Sequence, residues 1–68
     1  MQVVVNGESL EVEPGLTIDV LIESMRRAAE GRGLAVAVDG EVVPRGAWDH
    51  TALRAGARVE IVTAVQGG

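Results

Sequence analysis

Chemistry is most concentrated at the last residues of the sequence, A-V-Q-G-G over 64–68, where Gly68 carries the α-carboxylate. Such a carboxyl titrates at about 3.3–3.7, so at neutral pH it is a resonance-stabilised anion and a poor electrophile. Making it an acyl donor requires ATP from outside. Glycine suits the position because it has no Cβ to meet the walls of a channel and accepts almost any backbone angle. Four extended residues reach at most about 13–14 Å, enough to carry Gly68 from a folded body into another protein's active site. The expected organisation is a folded domain over 1–64 and a flexible tail over 65–68. In it Gly68 is the reacting group, Gly67 threads the tail, and Val65 and Gln66 contact the partner.

Other side chains offer less. Asp49 and His50 are neighbours, but the 68 residues hold no cysteine, and no serine lies in a recognisable nucleophile turn, so a catalytic triad has no support. His50 is the single histidine, which leaves zinc a nearly all-carboxylate shell that it seldom accepts. It reads as a solvated loop residue. Trp48 reads as a half-buried anchor for its loop, and Arg26-Arg27 as helix surface charge. Arg45 reads as a solvated cation that can also meet an acidic partner patch.

Composition narrows the function classes further. A chain of this length buries only about 60% of the surface its unfolded form exposes, so a deep catalytic cleft is not expected. With one Trp, no Phe and no Tyr, bases have almost nothing to stack on. The net charge of −4 repels phosphate backbones and anionic membranes, which argues against nucleic acid and membrane as partners. A basic or apolar-cationic protein surface is the natural complement. Neither a signal pattern nor a run of about 18 apolar residues occurs, and a cytoplasmic location is expected. All six basic residues are arginine.

The elements that must position the tail follow from periodicity. "MQVVVNGESLEVEP" reads as two strands around Asn6-Gly7, a dipeptide that tolerates positive φ. After Pro14-Gly15, Thr17 is placed as a helix N-cap with Asp19 in the first turn. Ile18, Leu21, Ile22, Met25 and Ala28 or Ala29 then form one apolar stripe of a helix that is expected to end near Gly31 or Gly33. "LAVAVDGEVVP" holds a third strand, an Asp39-Gly40 turn and a fourth strand closed by Pro44, which suits a sheet edge. "RGAWDHTALRAGA" reads as an irregular connection with a turn at Ala55-Gly56, and "RVEIVTAV" as a fifth strand.

Two sheet faces are therefore expected. Val3, Val5, Leu34, Val36, Val38, Val59 and Ile61 face the helix, and alternation sends Val4, Ala35, Ala37, Val62 and Ala64 to the opposite side. No second layer is available there, so this apolar face reads as a docking surface.

The stretch "VAVDGEVVPRGAWDHTALRAGARVEIVTAVQGG", 36–68, resembles the bacterial ThiS-type sulfur carriers of thiamine thiazole biosynthesis. Val36 to Glu41, Val43 to Arg45, Trp48, Thr51, Leu53, Gly56, Val59 to Val62 and Gly67-Gly68 carry the likeness, whereas the amino-terminal half matches only in type. Asp39 stands where Asn is usual. Ala57 stands where an acidic residue is common, a change expected to loosen that turn or alter a contact. The resemblance implies an α+β, β-grasp (ubiquitin-like) fold, ββαββ, with a mixed sheet covered on one face by one helix. It also implies a carrier that is not itself an enzyme and binds no cofactor. A ThiF-like adenylating enzyme would use ATP to activate Gly68. A persulfide donor such as a cysteine desulfurase would supply the sulfur, and a ThiG-like thiazole synthase would take it from the Gly68 thiocarboxylate. The small subunit of molybdopterin synthase and a ubiquitin-like protein modifier share the activated glycine and are the alternatives.

Overall fold

A computed structural model describes residues 1–25 and 34–63. Five strands form one sheet: β1 (Gln2–Val5), β2 (Glu8–Glu11), β3 (Leu34–Val38), β4 (Glu41–Val43) and β5 (Arg58–Thr63). The helix α1 (Ile18–Ser24) follows β2, and a 3₁₀ helix (Arg45–His50) follows β4. The strand order is β2-β1-β5-β3-β4. β5 runs parallel to β1 and antiparallel to β3, so the sheet is mixed as expected. The element order is ββαβββ, the five strands read from the sequence, one of which the ββαββ shorthand leaves out.

Both hairpins turn on the expected dipeptides. Asn6 and Gly7 have φ of 49° and 86°, and Asp39 and Gly40 have 50° and 87°, the left-handed pair that matches the twist of two-residue hairpins. Asn6 does more than turn. Its side-chain carbonyl accepts from the Ile61 backbone N–H at 2.9 Å and its amide donates to the Ile61 carbonyl at 3.4 Å, continuing the β1–β5 ladder beyond the end of β1. Asn6→Ala is expected to cost about 1–3 kcal/mol, from the Ile61 amide left unpaired and the positive φ without a tolerant side chain. Urea unfolding followed by circular dichroism checks it.

Burial follows the two-residue period. Val3, Val5, Val36 and Val59 are buried on the helix side, with Leu34, Val38 and Ile61 packed partly against them. From α1, Ile18 and Leu21 are buried and Ile22 and Met25 flank them. Each fully buried aliphatic side chain contributes about 1.5–3 kcal/mol. Met25 caps α1 with φ −115° and ψ 23°, sooner than the expected end near Gly31 or Gly33, which lies, like Ala28 and Ala29, outside the described residues. Thr17 holds the N-cap position with extended backbone, yet its side chain makes no capping bond. Its backbone is tied to Ala52 in an isolated bridge, and its hydroxyl donates to the Asp19 carboxylate.

The expected irregular connection is instead a second cover for the sheet. Ile18 N–H donates to Thr51 O at 3.1 Å and Leu53 N–H to Leu16 O at 2.8 Å, stitching the segment beside α1. Trp48, Leu53 and Ala57 are all buried in the core. One helix alone therefore does not cover the face. Ala57 also corrects the expectation of a loosened turn: its N–H donates to Arg54 O at 3.0 Å, and Gly56 N–H donates to Gln2 O at 2.7 Å. Its methyl is 4% exposed, so an apolar residue fits the site without disturbing the turn.

At the β1–β2 end the α-ammonium of Met1 donates to Glu11 Oε2 at 3.0 Å and to Val12 O at 2.8 Å. Hydrogen bonding to that ammonium lowers the Glu11 carboxyl below its ordinary value, with bonding to Gln2 and the ammonium charge acting the same way. A depressed folded-state pKa stabilises the fold above the unfolded value and ceases to do so as pH falls through the folded one. Glu11→Gln is thus expected to lower the urea midpoint slightly at neutral pH and to match wild type well below about pH 4.5, so that the acid-side decline shrinks by the neutral-pH loss.

Candidate functional site

The parallel β1–β5 pairing puts β5 at the middle of the sheet, and it is this strand that leads to 64–68. Val4 N–H donates to Ala57 O at 2.8 Å and Asn6 N–H to Val59 O at 2.9 Å. At the other edge of β5, Asp39 N–H donates to Arg58 O at 2.8 Å, and the Asp39 carboxylate accepts from Arg58 N–H at 3.0 Å. β5 is thereby held by neighbours on both sides from its first residue. A tail leaving such a strand starts from a fixed point and direction.

The face away from α1 is built from alternate residues of four strands. Register sets Ala35 opposite Val62, Ala37 opposite Glu60, and Val42 opposite Ala37. Val62 is 59% exposed and Val42 is 74% exposed, so two branched apolar side chains stand in water across two small alanines. Val42 was not read from the sequence as part of this face, although the alternation of β4 beside Ala37 carries the signal. Val4 lies on the same side but pairs with Arg58, four residues along β5 from Val62. At the rise of a strand that is about 13 Å, so Val4 stands apart from the patch, with Arg58 and Glu60 between. Ala64, Val65, Gln66, Gly67 and Gly68 lie outside the described residues.

Among the described residues no side chains are arranged as a reaction centre. His50 Nδ1 and Asp49 Oδ1 are 2.8 Å apart, with both side chains about 70% exposed, as a solvated pair would be. Among the described residues no group of three or more His, Cys, Asp or Glu is placed to hold a metal ion. Likewise, no helix among them is long and apolar enough to cross a membrane. Arg45 stacks over Trp48, its guanidinium carbon 5.1 Å from the ring centroid, so it serves the loop as well as facing solvent. Trp48 is more buried than the half-buried anchor expected, because its indole N–H reaches Val43 O at 2.9 Å and the ring lies in the core.

The ThiS family model matches residues 3–68, the described body and the Gly-Gly end together. The chain belongs to the ThiS family. It is therefore a small sulfur carrier of thiamine biosynthesis, with the β-grasp fold that its sheet and helix display. Solved structures agree. The crystal structure of thiamine biosynthesis protein ThiS from Geobacter metallireducens is 30% identical, with all of both chains covered and a TM-score of 0.84. A solution NMR structure of a thiamine biosynthesis protein from the same organism is 28% identical, covers all of this chain and 88% of the other, and has a TM-score of 0.76. No curated protein matches the sequence.

Proposed function

We propose that this ThiS-family chain carries sulfur as a thiocarboxylate on Gly68. The Gly68 carboxylate attacks the α-phosphate of ATP on a ThiF-like adenylating enzyme; pyrophosphate leaves and an acyl-adenylate forms. The terminal sulfur of a persulfide, generated by a cysteine desulfurase, displaces AMP at the acyl carbon to give an acyl disulfide, and a second thiol of the sulfur donor then cleaves its S–S bond, leaving the thiocarboxylate on Gly68 and a disulfide on the donor. A ThiG-like thiazole synthase then draws sulfur from the thiocarboxylate. The carrier supplies the tail and the docking face, and the partners supply ATP binding and catalysis.

The family match across 3–68, which includes Gly67 and Gly68, is the observation that carries this reading. The architecture supports it: β5 is anchored on both edges and leads directly to the tail, beside an exposed apolar patch of Ala35, Ala37, Val42 and Val62. The test is mass spectrometry of the tryptic peptide Val59 to Gly68 after incubation with ATP, adenylating enzyme and a persulfide source. An ATP-dependent exchange of oxygen for sulfur, blocked by thiol alkylation, is the expected result. Methionine oxidation adds nearly the same mass, but Met1 and Met25 lie outside this peptide. An unmodified peptide, under conditions that convert an established carrier, overturns the reading.

A further inference from the structure

The docking patch is almost featureless in shape, since small and branched aliphatic residues alternate across it, and such a surface fixes little about how a partner is oriented. Two charges break that degeneracy. Arg58 and Glu60 are exposed on the same face of β5, four and two residues before Val62 respectively, and Glu60 stands directly opposite Ala37 at the edge of the patch. Among the described residues neither side chain has an ion-pair partner. Leaving a carboxylate unpaired beneath a docked protein costs most of what the apolar contacts gain, so the partner must answer it.

We infer that Glu60 is an orientation-determining contact, met by a cationic side chain of the activating enzyme, while Ala35, Ala37, Val42 and Val62 meet its apolar residues. This rests on the proposed carrier function. Tail length says where that enzyme sits: the five residues after Thr63 span at most about 17 Å, so a partner holding Gly68 lies over the Val62 end of β5 rather than the Arg58 end. The order along β5, cation then anion then apolar residue, gives the face a direction. A partner docked the other way round would set its cation against Arg58. The carrier's net charge of −4 draws the same basic surface from a distance, and Glu60 converts that general attraction into register.

The experiment is steady-state adenylation, read as pyrophosphate release, with the carrier as varied substrate. Wild type, Glu60→Gln, Glu60→Arg, Arg58→Glu and Glu8→Arg are compared, with each fold checked by circular dichroism. Glu8 pairs with Val5 on the opposite side of the sheet, so its reversal controls for net charge alone. Glu60→Arg is expected to raise KM at least about tenfold, with kcat within about twofold, and to reduce the salt dependence of KM. Glu60→Gln should fall between it and wild type. A KM for Glu60→Arg no higher than that of Glu8→Arg overturns the inference and leaves the carrier reading standing. Dimerisation of the wild type that Glu60→Arg abolishes also overturns it, because Arg58 of a second copy would then be the cation. Absence of adenylation in the wild type, with an enzyme active on an established carrier, sinks the carrier reading, and the inference falls with it.

Discussion

Deletion of Gly68 is expected to abolish thiocarboxylate formation while leaving the urea midpoint of the body unchanged. The shortened chain still ends in a glycine carboxylate, so the loss tests position rather than chemistry. Removing one extended residue draws the carboxyl back by about 3.3–3.6 Å, whereas in-line attack needs reacting atoms about 3–3.5 Å apart. A misplacement of about 1 Å can already cost a hundredfold, so a full residue is expected to put turnover below detection. β5 pairs with β1 as far as Val59 and with β3 as far as Thr63, so the described ladder that holds the body ends five residues before Gly68. ATP–pyrophosphate exchange and mass spectrometry of the tail peptide read the chemistry, and circular dichroism reads the fold. A truncated chain that still gains sulfur would move the reacting group away from Gly68. A truncated chain that unfolds would give the tail a structural role that the carrier cycle does not use.

How much of this was legible beforehand depends on how local the governing interaction is. Asn6-Gly7 and Asp39-Gly40 announce their turns because positive φ is a property of those residues alone, and the inward set Val3, Val5, Val36 and Val59 follows from a period of two. The stripe Ile18, Leu21, Ile22 and Met25 is equally local. In contrast, 45–57 has no periodicity, and it becomes a covering layer only through contacts with Leu16 and Ile18, more than thirty residues earlier in the chain. Leu53 and Ala57 therefore could not be placed in the core by pattern. The parallel β1–β5 pair joins residues more than fifty apart, and it is this pair that separates Val4 from the rest of its face. Alternation assigns a residue to a side of a sheet; only register says which neighbours share the patch.

Trp48→Ala is expected to leave much of the population unfolded at ambient temperature. Large-to-small replacement of a buried Trp costs about 3–5 kcal/mol, and at roughly 0.05–0.15 kcal/mol per residue a domain of this size has only about 3–10 kcal/mol in total. Trp48 is 6% exposed, one of nine buried core residues among those described. Its loss also frees the Val43 carbonyl and the face on which Arg45 rests, so cavity and polar costs add. Trp48→Phe separates them: it fills most of the volume but cannot donate to Val43 O, and should cost about 1–3 kcal/mol. Far-ultraviolet circular dichroism in urea reads both variants, since the only Trp fluorophore is the residue removed. An alanine variant within about 1 kcal/mol of wild type would mean that 45–57 can collapse into the space, and that the second cover is dispensable. If the ring matters as argued, its effect on sulfur transfer is indirect. Trp48 holds the end of β4 at Val43, the strand that carries Val42 into the docking patch, so Trp48→Phe should raise KM for the adenylating enzyme more than it lowers kcat.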